Sequence, residues 1–206
     1  DQRQLPVSEE YLNFTDIEGG YLAIKDMVVR GAPCIGFTAI YTMGLWLKDN
    51  LNFSQDELIK AGEYLKSARP TAVNLAFEVD RVLNLISKTQ KSGVELYNEV
   101  IAFGDLQIQE SELKNRTMAE LAEKDLDSRL GLKKYKILTH CNTGFLACGS
   151  IGTALGVVQN LGEKDKIDNV WVDETRPYLQ GSRLTAYELD KLGIAHKIVV
   201  EGAASY

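Results

Sequence analysis

The stretch from Tyr135 to Gly156 constrains the fold more than any other part of the chain, because its apolar period changes from strand to helix across a short polar loop. Tyr135-Lys-Ile-Leu-Thr139 has the length and β-branched content of a buried strand, and Ala147 to Asn160 follows helical spacing. Cys141-Asn142-Thr143-Gly144 is then the connecting loop. Ligands of open α/β sheets gather beyond the carboxyl ends of the strands, so a thiol, an amide and a hydroxyl stand where small-molecule chemistry is expected. Gly144, Gly149, Gly152 and Gly156 punctuate the helix that follows. Glycines so spaced serve either close helix–strand packing or an anion at the helix N-terminus.

Further along, the same alternation continues: strand near 135–140, helix 148–160, strand 169–174, helix 181–192 and strand 196–201. Such alternation implies parallel strands in a Rossmann-like layer, here a partial one. Before it the chain reads as helical. Leu5 to Phe14 mixes apolar residues with a proline and suggests short extended segments. Thr15-Asp-Ile-Glu18 fits a capping box opening a helix over 18–29, and Ser54-Gln-Asp-Glu57 fits a second, for a helix ending near Ser67. Pro33 is suited to the first turn of an apolar helix. Leu75, Val79, Val82 and Ile86 recur at helical spacing, and 94–129 is charged with intermittent apolar positions, as in long, partly exposed helices. The expected organisation is α/β, with a mainly helical domain at 1–130 and an incomplete Rossmann-like domain at 131–206.

Charge and cysteine usage narrow the function classes. A net charge of −6 argues against general binding to nucleic acid or to anionic membranes. No stretch reaches the roughly 18 unbroken apolar residues of a membrane span. Cys34, Cys141 and Cys148 form no CxxC pair, which fits reduced thiols in a cytoplasmic setting. With only His140 and His196 and no HxxxH, no metal site is expected.

Pro33, Pro70 and Pro177 each lie at or just after an arginine, namely Arg30, Arg69 and Arg176. A residue directly before proline is pushed out of the helical region, which fixes the backbone at Arg69 and Arg176. Guanidinium groups match phosphate oxygens in a bidentate fork. In an acidic chain such arginines suggest a pocket for a small phosphorylated ligand, although each alone also suits a surface ion pair or a helix C-cap. Cys34 and Cys148 sit in apolar helical runs and read as small core residues. Cys141, in a polar loop after a strand, reads as a base or nucleophile. His140 points to the opposite side if the strand continues, which argues against a Cys–His pair. Gln180 offers a donor and an acceptor to sugar hydroxyls. Glu174 is an acid or base, or an ion-pair partner of Arg176 or Arg183.

Met27-Val-Val-Arg-Gly-Ala-Pro-Cys-Ile-Gly36, Arg69-Pro-Thr-Ala-Val-Asn-Leu75, Leu138-Thr-His-Cys-Asn-Thr-Gly144, Gly152-Thr-Ala-Leu-Gly156 and Glu174-Thr-Arg-Pro-Tyr-Leu-Gln-Gly-Ser-Arg-Leu-Thr-Ala186 together resemble the ordered motifs of the S-methyl-5-thioribose-1-phosphate isomerase family. That family shares a superfamily with the regulatory subunits of translation initiation factor 2B. The resemblance implies a helical N-terminal domain with a small antiparallel sheet, a Rossmann-like C-terminal domain and a homodimer acting in methionine salvage. It also implies conversion of 5-methylthioribose 1-phosphate to 5-methylthioribulose 1-phosphate with no cofactor, metal or nucleotide. By the same resemblance Arg30, Gly31, Ala32, Arg69 and Gln180 bind substrate, and Cys141 is catalytic.

In this family an aspartate in a GADR-like segment assists ring opening, and these 206 residues hold no counterpart to it. The expectation is therefore a fragment, inactive alone. Two other readings share the motifs' superfamily. One is a sister isomerase of 5-deoxyribose 1-phosphate or ribose 1,5-bisphosphate. The other is a non-catalytic regulatory subunit, against which the THCN cysteine and the RGA and RPTA arginines argue.

Overall fold

A computed structural model describes residues 1–131 and 133–205. Its contacts divide the chain into two compact units, one of residues 1–3 with 10–109, the other of residues 4–9 with 110–206.

The first unit is helical. Helix α1 (Ile17–Lys25) is capped by Asp16, whose Oδ1 accepts from the Gly19 N–H at 2.8 Å, so the carboxylate does the capping expected of Thr15. It ends earlier than the expected Val29 because Met27 turns to φ 59° and the Val29 N–H reaches back to the Ala23 carbonyl. Helix α2 (Ala32–Asp49) opens with Pro33 in its first turn, and Ser54 and Glu57 form both bonds of the capping box on α3 (Gln55–Lys66). On α4 (Val73–Lys88), Leu75, Val79, Val82 and Ile86 are all buried, as their spacing requires. They pack with Ile40, Met43 and Leu47 of α2 and with Leu58 and Leu65 of α3 in one core. A single helix, α5 (Gly93–Leu130), then runs 38 residues, and the divide between the units crosses it between 109 and 110.

Among the described residues the antiparallel sheet expected near the N-terminus is absent, and all three strands pair in parallel. Residues 5–14 lack an apolar face, with Val7 and Tyr11 almost fully exposed. Their backbone finds other partners: the Ser8 N–H donates to Gln4, and the Arg183 guanidinium donates to the Leu5 carbonyl at 2.9 Å. With these groups satisfied in turns, nothing drives a ladder.

The second unit holds strands β1 (Tyr135–Thr139), β2 (Ile167–Asp173) and β3 (His196–Val199), parallel and in sequence order. Leu138 pairs with Trp171, and Trp171 with Lys197. The helix expected over 148–160 is two: α6 (Phe145–Cys148) and α7 (Ala154–Glu163). Gly149, Ser150 and Gly152 take φ of 66°, 57° and 82° between them, left-handed values that no helix continues through. The segment expected as helix 181–192 starts with a π-helical turn, Gly181–Thr185, before α8 (Ala186–Lys191). Leu155 and Val158 of α7 and Leu189 of α8 pack on Val170 and Val172, which covers one sheet face.

Glu123 of α5 is 8% exposed and accepts bonds from Lys164, Lys166 and Asn160. Those donors bring its carboxyl from 4.5 down to about 2. A carboxyl depressed by folding contributes stability above its unfolded pKa and loses it as pH falls through the folded value. Resistance to urea is therefore expected to fall as pH drops from about 4.5 toward about 2, and Glu123→Gln is expected to flatten that dependence; an unchanged slope in the variant would remove Glu123 as its source.

Candidate functional site

Cys141 leaves the end of β1 at φ 63°, a conformation costly for a residue with a side chain. Two threonines hold it there. The Cys141 N–H donates to Thr175 Oγ1 at 2.8 Å, and Thr175 Oγ1 in turn donates to the Asp173 carbonyl at 3.0 Å. On the other side the Cys141 carbonyl accepts from Thr185 Oγ1 at 2.7 Å. The loop is thus fastened to the end of β2 and to the π-helical turn, while the cysteine stays half-buried.

A buried carboxylate anchors the rest of the loop. Glu188 of α8 is 2% exposed, and its oxygens accept from Asn142 Nδ2 and the Phe145 N–H, both at 2.7 Å, and from the Leu146 N–H at 3.3 Å. Burial pushes this carboxyl up, and the three donors pull it the other way. Gly144 is required by this contact: a Cβ there would lie 2.0 Å from Glu188 Oε2. Gly181 is required at the neighbouring edge, where a Cβ would lie 1.7 Å from the Asp173 carbonyl. That approach brings the half-buried Gln180 to the carboxyl end of β2.

His140 does not pair with Cys141. Its Nδ1 lies 2.5 Å from Asp173 Oδ2, with 61% of the imidazole side chain exposed and 3% of the aspartate side chain. Asp173 Oδ1 is buried without a hydrogen-bond partner among the described residues. Cys148 is buried as expected, its Sγ 3.7 Å from the Thr143 carbonyl, and burial pushes its thiol up. Glu174 Oε1 accepts from the Glu201 N–H, and Arg183 donates to carbonyls of Leu5 and Tyr178.

Arg30, Gly31, Ala32 and Arg69 belong to the first unit. Gly31 caps α2 at φ 90°, and its carbonyl accepts from Ile35. Arg69 is half-buried, and its carbonyl accepts from Ala72 at the start of α4. The early turns of α2 and α4 meet where a Cβ on Gly36 would lie 3.5 Å from the Asn74 carbonyl. Two helix N-termini thereby lie on one end of this unit, an arrangement that favours an anion.

Thr175, Thr185, Glu188 and Asp173 were not singled out by their sequence context. The signal available was the three-residue spacing of Thr185 and Glu188, which puts both on one helix face. Among the described residues no cluster of three or more His, Cys, Asp or Glu is placed to hold a metal, and no helix is long and apolar enough to cross a membrane.

Comparison with known proteins points in one direction. The chain is 42% identical over its whole length to methylthioribose-1-phosphate isomerase of Aquifex aeolicus, of which it spans 41%. It is similar to the crystal structure of 5-methylthioribose 1-phosphate isomerase from Pyrococcus horikoshii, with a TM-score of 0.84 and 32% identity, covering 99% of this chain and 57% of that one. It is also similar to the translation initiation factor eIF-2B delta subunit from A. fulgidus, with a TM-score of 0.82 and 34% identity, covering 98% of this chain and 59% of that one. The family model for the initiation factor 2 subunit family matches residues 28–206. On that match the chain belongs to the initiation factor 2 subunit family.

Proposed function

We propose that the whole protein is an aldose–ketose isomerase that converts 5-methylthioribose 1-phosphate into 5-methylthioribulose 1-phosphate in methionine salvage, as a cytoplasmic homodimer. The observation that carries the reading is the thiol of Cys141, held at the tip of a parallel strand in a backbone conformation that two threonines enforce. Strain kept at one reactive side chain is characteristic of a functional site. The names of the relatives in Aquifex aeolicus and Pyrococcus horikoshii support the choice of reaction.

In this reaction the phosphate stays on the C1 oxygen, so the sugar opens by protonation of its ring oxygen. Arg30 and Arg69 take the phosphate, with backbone N–H groups at Gly31 and Ala32 adding uncharged donors. Gln180 reads the sugar hydroxyls and Cys141 acts at C2. A non-catalytic subunit is the second reading, favoured by the likeness to the A. fulgidus delta subunit. Phosphorus and carbon NMR of the sugar incubated with the whole protein separates them: the isomerase yields the ketose, and the regulatory subunit leaves the aldose intact. Arg69→Ala is expected to raise KM about 10- to 100-fold by removing a charge-assisted phosphate contact worth roughly 1.5–3 kcal/mol. An unchanged KM would take Arg69 out of the phosphate site.

A further inference from the structure

We propose that His140, oriented by Asp173, is the base that takes the proton of the sugar's C2 hydroxyl as the C2 carbonyl forms. The proposal rests on the isomerase reading and adds to it a residue which that reading does not use.

The geometry is that of a positioned imidazole. Thr139, the last residue of β1, is the register partner of Val172; His140 follows β1 directly, and Asp173 is the last residue of β2. Their side chains meet through Nδ1 and Oδ2 at 2.5 Å. A carboxylate on Nδ1 fixes the tautomer, leaving the Nε2 lone pair on the far side of the ring to accept a proton. An ordinary surface pair has both members in water. Here the imidazole side chain is 61% exposed while the aspartate side chain is only 3% exposed, and the second aspartate oxygen is buried without a partner among the described residues. An under-satisfied buried carboxylate is costly, and it is tolerated where it serves chemistry.

The reaction needs such a base whatever path its hydrogen takes. The bond from C1 to the ring oxygen breaks, and the ring oxygen gains a proton from an acid. One hydrogen moves from C2 to C1, as a hydride or as a proton. In both cases the C2 oxygen becomes a carbonyl and must release its own proton. That proton passes to neutral His140, and the exposed imidazolium returns it to solvent while the acid is reprotonated, so no oxidant or reductant is required. His140 and Cys141 are the two residues that directly follow β1, at the carboxyl end of the sheet.

The test uses His140→Gln and Asp173→Asn in the whole protein. Positioned acid–base groups contribute about 10²- to 10⁴-fold, so His140→Gln is expected to lower kcat on that scale with KM within about threefold. Nitrogen-15 NMR of the whole protein reads His140 as the signals lost in the His140→Gln variant. The wild-type ring is expected as the Nδ1–H tautomer, and Asp173→Asn is expected to shift it toward Nε2–H and to lower kcat. An Nε2–H tautomer in the wild type would overturn the proposal, as would full kcat in His140→Gln beside an active wild type. A wild type that leaves methylthioribose 1-phosphate unchanged would sink the isomerase reading, and the proposal with it.

Discussion

Replacing Cys141 by serine is expected to lower kcat of the whole protein by about 10²- to 10⁴-fold while KM stays within a few-fold. The exchange keeps the size of the side chain and the backbone bonds to Thr175 and Thr185, because those bonds use the peptide N–H and carbonyl of residue 141. What changes is the reacting atom: sulfur forms a thiolate and acts as a nucleophile far more readily than a serine hydroxyl does. A loss confined to kcat is the mark of a group acting in the transition state. Steady-state kinetics with methylthioribose 1-phosphate makes the comparison, and wild-type kcat in Cys141→Ser would remove the thiol from the chemistry.

Glu188→Ala is expected to destabilise the second unit by about 3 kcal/mol or more. The carboxylate is the acceptor for the Asn142 amide and for the N–H groups of Phe145 and Leu146, and Glu188 itself is 2% exposed. Deleting it withdraws that acceptor and opens a cavity under Gly144. Glu188→Gln separates shape from acceptance. It retains the volume but turns an NH₂ toward one of the donors, so most of the loss is expected to persist. Urea unfolding measures both variants, and a wild-type midpoint for Glu188→Gln would show that volume alone matters there.

The parts of the fold legible in the sequence were those carried by local rules. The Ser54–Glu57 capping box, the Pro33 helix start and the Leu75–Ile86 stripe depend on residues three or four apart, and each forms as read. The strands at 135–139, 167–173 and 196–199 follow from apolar runs bounded by turns. What was not legible depends on contacts distant in the chain. The N-terminal segment is drawn into turns by Arg183, 178 residues away, and no local pattern announces that. The split of the helix after Cys148 turns on Gly149, Ser150 and Gly152 adopting left-handed backbone, while the apolar spacing around them continues the helical period. At the candidate site the thiol was conspicuous in its polar loop. The groups that fix it, Thr175, Thr185 and Glu188, come from 34 to 46 residues further on for the bonds they make.

The most direct measurement of the central claim is the rate at which iodoacetamide alkylates Cys141, read by peptide mass spectrometry with and without saturating methylthioribose 1-phosphate. If the thiol stands in the sugar site, the substrate slows alkylation of Cys141 by about tenfold or more at ten times its Kd, the fraction of free site falling accordingly. Alkylation of Cys141 at the same rate with and without bound sugar would contradict the account.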